Sequence, residues 1–124
     1  MTIRFVETTE FSKWQPRFLP GDAYGRLQRE LVADPEKGDV MRGCGGLRKL
    51  RIADPKRQKG KRGGARVIYL HIPEVRQFLM LDVYGKGEKE DLSPADKRQL
   101  RQLAQEYKRR VVEAVRRAKK EEES

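Results

Sequence analysis

A chain of 124 residues with 29 Lys or Arg against 19 Asp or Glu carries a formal charge of +10, and its length supports one domain with a core of its own. No apolar run approaches the roughly 20 residues of a membrane span, the first residues lack a charged-then-apolar leader pattern, and the single Cys44 excludes an internal disulfide and has no companions for a zinc site. The expectation is a cytoplasmic protein without metal or cofactor, whose charge calls for a polyanion: nucleic acid first, an anionic membrane surface second.

In chain order, residues 3–6 are short, apolar and β-prone, and Thr8 and Thr9 are both suited to cap a helix. From about Thr9, Phe11, Trp14 and Phe18 fall on one helical face as core candidates, with Pro16 set to shorten or kink the helix. Pro20 suits the first turn of a second helix, in which Ala23, Tyr24, Leu27 and Leu31 line one face and which Asp34-Pro35 ends. Residues 35–46 read as a loop. Its glycines, Gly43, Gly45 and Gly46, match no phosphate-binding pattern, so turn chemistry outweighs a nucleotide pocket.

Residues 47–52 alternate, with Leu47, Lys49 and Arg51 on one face and Arg48, Leu50 and Ile52 on the other. A loop rich in Pro, Gly, Lys and Arg follows, then strands over residues 66–72 and 77–84 joined at Pro73-Glu74. Three strands in series suggest an antiparallel meander. Ser93 caps the last helix, with Pro94 at its first position, and Leu100, Leu103, Tyr107, Val111, Ala114 and Ala118 recur at helical steps. Residues 95–107 are expected to pack on the body. The remainder reads as a projecting or loosely docked basic helix, so the chain divides into a domain over residues 1–107 and a basic helical extension over 108–124.

The charge is concentrated. Residues 42–66 hold ten cations and one carboxylate, Asp54, whereas residues 1–41 carry six basic and seven acidic groups, and residues 67–124 carry thirteen and eleven.

The element order, with LRKLR, a basic loop, GGARVIY and VYGKGEKEDLSP, resembles the RelE superfamily, and is most similar to its HigB-like branch over residues 3–105. The resemblance implies an α+β domain: a mainly antiparallel sheet of about four strands, two N-terminal helices and a long C-terminal helix. It further implies a toxin of a type II toxin–antitoxin system that cleaves mRNA on the ribosome without metal, neutralised by a HigA-like helix-turn-helix antitoxin. By the same resemblance Lys49, Arg51, Arg66, Lys86 and Lys89 fall on the family's basic site positions. The tyrosine that family members carry near the final helix is absent from residues 88–93, so Tyr84 substitutes or base stacking comes from elsewhere.

Elementary chemistry sets its own limits. Attack of a ribose 2′-OH on the adjacent phosphate needs a base, an acid for the leaving oxygen, and cations facing the phosphoryl charge. A histidine pair is impossible, because His71 is the only one, and it shares a face with Val67 and Tyr69, opposite Arg66. Arginine stabilises a phosphorane but stays protonated, while lysine serves as base only where neighbouring cations lower its pKa. Lys49 and Arg51 project into one groove, or alternatively guard a strand edge. Arg48, Lys56, Arg57, Lys59, Lys61 and Arg62 are assigned to RNA or ribosome contact. Asp82, placed with Met80 and Tyr84, is a candidate to orient a cation, and Tyr69 and Tyr84 are candidates for base stacking. The competing reading is a basic RNA-binding module without catalysis, or an inactive toxin homologue that keeps a regulatory partner.

Overall fold

The computed structural model describes residues 2–55, 64–85 and 92–123. Strand β1 (Arg4–Glu7) leads into helix α1 (Thr9–Phe18) and helix α2 (Ala23–Ala33). Then come β2 (Asp39–Val40), β3 (Arg48–Ile52), β4 (Ala65–Ile72), a 3-10 turn at Pro73–Val75, β5 (Gln77–Gly85) and α3 (Pro94–Glu123). The strands form one mixed sheet in the order β1-β5-β4-β3-β2, with β1 parallel to β5 and every other pair antiparallel. This is the expected α+β class. The strand pair β1–β5 and the two-residue β2 bring the sheet to five strands, β2 arising inside what the sequence presents only as a loop.

The sheet is covered on both faces, which explains why β4 and β5 read as almost unbroken apolar runs. On one face α1 and α2 bury Phe11, Phe18, Leu27 and Leu31 against Leu50, Val67, Tyr69, Phe78, Met80 and Val83. On the other, α3 and the loop before β3 bury Met41, Cys44, Leu47, Leu92, Ala104 and Val112 against Ile68, Leu70, Ile72, Leu79, Leu81 and Tyr84.

The helix ends follow local chemistry. Thr8 caps α1, its hydroxyl accepting from the Phe11 N–H at 3.1 Å. Pro16 stands inside α1 and the helix stops two residues later. Trp14 is not core as its spacing suggested: it lies about 60° around the helix from Phe11, 38% exposed, and donates its indole N–H to Glu10 at 3.0 Å. Pro20 does not open α2 either. Its carbonyl accepts the Ala23 N–H in a turn through Gly21, which has φ +56°, and the helix begins at Ala23. Ser93 and Asp96 form a reciprocal cap at the start of α3, at 3.1 and 3.2 Å.

Helix α3 stays docked past residue 107. The Tyr107 hydroxyl meets Gln77, Lys108 pairs with Glu74 at 3.8 Å, and Val112 is buried. From Glu113 to Glu123 every residue is exposed. No helix among the described residues is long and apolar enough to cross a membrane.

One irregularity matters for the site. The β4–β5 register shifts between Ile68 and Tyr69: Ile68 lies opposite Asp82 and Tyr69 opposite Met80, leaving Leu81 as the extra residue of a β-bulge. Strict alternation would have put Asp82 on the same face as Met80 and Tyr84. In the fold Met80 belongs to the α1–α2 side and Tyr84 to the α3 side, and the bulge turns Asp82 to the latter.

Candidate functional site

The register places the cations of β3 and β4 together. Lys49 lies opposite Ile68, and Arg51 opposite Arg66, which in turn lies opposite Tyr84. Directly opposed residues share a face, and Ile68 and Tyr84 belong to the cluster under α3, so Lys49, Arg51, Arg66 and Tyr84 all stand on that face. Two rows cross the sheet, Lys49–Ile68–Asp82 and Arg51–Arg66–Tyr84, with Asp82 the diagonal neighbour of Arg66. The four described residues assigned to catalysis are thus side by side.

The site is stepped in depth. Arg51 is exposed and Lys49 half-buried, whereas Arg66, Asp82 and Tyr84 are at most 8% exposed. One Arg66 guanidinium N–H donates to the Ala65 carbonyl at 3.1 Å, fixing part of its donor fork. Like charges directly opposed across a ladder destabilise a sheet. The opposed pair Arg51–Arg66, with Lys49 on the adjoining row, gathers three cations on one face, a charge that suits an oxyanion. Arginine forks suit phosphate in particular because they match its oxygens two at a time.

The supports were less legible. Asp54, the single carboxylate of the basic stretch, is 1% exposed and takes two hydrogen bonds from Arg17 of α1, at 2.9 and 3.2 Å. This pair ties the end of β3, just past Arg51, to the helix layer. A lone acid among ten cations was the available signal, but its partner lies 37 residues away. Tyr69 is wholly buried: its hydroxyl donates to the Pro35 carbonyl at 2.7 Å and accepts from the Gly38 N–H at 3.0 Å. Burial pushes its phenol pKa up, with the Gly38 contact and Arg48 pulling the other way, so it remains a donor. Tyr69 therefore latches the loop to β2 and has no face for stacking a base. Gly38 is needed there, since a Cβ would come within 2.9 Å of the Tyr69 ring and 3.2 Å of the Lys49 backbone.

Arg48 does not join the cluster. It lies opposite Tyr69, on the α1–α2 face, and its guanidinium donates to the carbonyls of Gly38 at 2.8 Å and Glu36 at 3.2 Å. Those bonds hold the loop, and alternation sends neighbouring Arg48 and Lys49 to opposite faces. His71 sits on that same face, stacked on Phe78 at 4.6 Å between centroids. Burial lowers its pKa, so it is a neutral packing residue, remote from the cations. The glycines before β3 do turn chemistry: Gly43, Gly45 and Gly46 have positive φ, and the Gly43 carbonyl accepts from Arg101 of α3 at 3.1 Å. Lys86 and Lys89, with Lys56, Arg57, Lys59, Lys61 and Arg62, lie outside the described residues.

A family model described as the RelE toxin of the RelE/RelB toxin–antitoxin system matches residues 25–123, which include every strand of the cation cluster and the whole of α3.

Proposed function

We propose, starting from the fact that this chain belongs to the RelE toxin family, that it is a ribosome-dependent mRNA endonuclease acting on the face that carries Lys49, Arg51 and Arg66. Membership makes it a toxin of a toxin–antitoxin system. The observation that carries the catalytic reading is the opposed pair Arg51–Arg66, flanked by Lys49 and Tyr84 on one sheet face.

In this reading the scissile phosphate lies across the Arg51–Arg66 row. A base removes the proton of the ribose 2′-OH, the oxygen bonds to phosphorus, and the P–O5′ bond breaks as an acid protonates the leaving oxygen. The products are a 2′,3′-cyclic phosphate and a 5′-OH. Arg66, held by its bond to the Ala65 carbonyl, and Arg51 stabilise the added charge on the equatorial oxygens. Lys49 is the described residue suited to proton transfer, with Lys86 and Lys89 as further cations of the same site, and Tyr84 lines its floor. Lys56, Arg57, Lys59, Lys61 and Arg62 hold RNA and the ribosome, without cofactor or metal. A HigA-like helix-turn-helix antitoxin is the partner, and the cytoplasm is where toxin, ribosome and message meet.

Expression followed by mapping of mRNA 5′ ends tests this. New ends within translated codons, lost in a folded Arg66→Ala variant, are the expected result. Intact messages and normal growth in cells holding soluble, folded protein would reject the enzyme in favour of a non-catalytic RNA-binding module.

A further inference from the structure

Helix α3 runs on past the body that it packs against. Its apolar residues Leu103, Tyr107, Val111 and Val115 recur at steps of four and form one ridge along the helix. Tyr107 and Val111 pack half-buried against the sheet, whereas Leu103 and Val115 are 49% and 40% exposed. The tail Glu113–Glu123 is exposed throughout and carries Arg116, Arg117, Lys119 and Lys120. Among the described residues Arg116, Arg117 and Lys119 enter no ion pair.

The complementary surface is on the same molecule. A groove of about 650 Å³ runs between α3 and the segment leading from β1 into α1. Its apolar lining is Val6, Leu79, Leu81, Leu92, Leu100 and Leu103, and its charged lining is Glu7, Glu10, Asp82 and Asp96 with Arg110. An acidic groove is out of character for a chain of charge +10. Glu7 accepts from the Ser12 hydroxyl at 2.7 Å and Glu10 from the Trp14 indole at 3.0 Å. Both donors are neutral, so neither bond cancels a carboxylate charge.

We propose that this groove receives the basic tail of α3 from a second copy of the chain, the two copies exchanging tails about a two-fold axis. The tail cannot fill its own groove, because α3 is one unbroken helix from Pro94 to Glu123 and carries the tail away from its own earlier turns. Leu103 and Val115 stand about 18 Å apart along that helix, with Arg109 midway. Two antiparallel copies of α3 crossing at Arg109 set Leu103 of each against Val115 of the other, so a single axis satisfies both contacts. The same crossing lays the tail cations over the acidic groove. Tail and groove lining together reach roughly the 20–30 residues a side of a stable interface. The ridge supplies its apolar centre and the charge pairs fix its register. The pairing rests on these two surfaces and is independent of the endonuclease reading.

Sedimentation velocity on the full chain tests this, at about 0.15 M salt so that the charge of each copy is screened beyond ~8 Å. A monomer–dimer equilibrium is expected. Val115→Glu should leave the circular dichroism unchanged, since Val115 is on the exposed tail, and weaken the dimer by about tenfold or more by burying a carboxylate in the apolar contact. Charge reversal supplies the second arm. Glu10→Lys in one preparation, and Arg116→Glu with Arg117→Glu in another, should each yield monomers. Mixing the two should restore the dimer, because the altered groove then meets the reversed tail and the native groove a native tail. A chain that is monomeric at every concentration overturns the proposal. So does a dimer indifferent to Val115→Glu, or a mixture that stays monomeric. An RNA oligonucleotide that shields the tail from trypsin while the chain remains monomeric would assign the tail to nucleic acid and overturn it as well.

Discussion

Replacing Arg51 by threonine separates what the fold wants from what the site needs. Arg51 is exposed and directly opposite Arg66 on the ladder. Two unit charges about 7 Å apart in an effective dielectric of about 40–80 repel by about 0.6–1.2 kcal/mol. That agrees with the ~0.2–1 kcal/mol scale of cross-strand pairs. Asp82, diagonal to Arg66, offsets part of it. Arg51→Thr should therefore stabilise the free protein by about 0.5–1 kcal/mol, raising Tm by about 2–4 °C for a domain of this size. Salt supplies the control. At 1 M the screening length falls to ~3 Å, so the electrostatic gain should shrink strongly, whereas a gain from threonine's strand propensity would persist. In the same variant cleavage should fall by about 10²–10³, the usual cost of removing one preorganised partner of transition-state charge. Urea or thermal unfolding at 0.05 and 1 M salt, with a ribosome-programmed cleavage assay, reads both effects. A variant less stable than the parent, or a gain indifferent to salt, would refute the claim that Arg51 and Arg66 repel across the ladder.

Arg17→Ala should destabilise by about 3 kcal/mol, near the lower end for breaking a buried ion pair because Arg17 itself is partly exposed, and so lower Tm by about 12 °C. Pairing Arg17→Met with Asp54→Leu should restore much of the loss, and a single-variant drop below about 1 kcal/mol in chemical denaturation would contradict the burial of Asp54. Tyr69→Phe removes a donor to Pro35 and an acceptor from Gly38, for about 1–3 kcal/mol, and should speed amide exchange at Gly38 and Val40 well before the core opens. His71 has its pKa lowered in the fold by burial, with Glu74 and Glu36 opposing. The unfolded chain therefore binds the proton first: this contribution is complete above the unfolded pKa of about 6.5 and is lost as pH falls below it. His71→Gln should flatten the slope of unfolding free energy between about pH 6.5 and 5, and an unchanged slope would assign it to carboxylates instead.

Much of the architecture is written in local pattern. Alternation over residues 47–52 placed Leu47, Lys49 and Arg51 on one face, the apolar runs after Arg66 and Gln77 announced strands covered on both sides, and Ser93-Pro94 marked the start of α3 to the residue. These signals survive in a single sequence because strand pleat, helix pitch and caps each act over four residues or fewer. The concentration of charge over residues 42–66 is likewise a property of the chain alone, and it sufficed to call for a polyanion.

Tertiary structure decided what those residues do to one another. Arg48 and Lys49 are equal as letters, yet β4 and the loop carbonyls make one a brace and leave the other on the cation face. One extra residue in β5 turned Asp82 away from Met80 and toward Arg66, a shift that no alternation rule foresees because the bulge exists only in the pairing with β4. Trp14 lost its place in the core to a 60° offset, and Tyr69 lost its place at the site to a loop that needed its hydroxyl. The opposition of Arg51 and Arg66 likewise depends on register, and register belongs to two strands at once. The sequence alone determined that this protein is a basic α+β domain whose excess charge is gathered in one short stretch. That its cations converge on one end of one sheet face was settled only when distant strands paired.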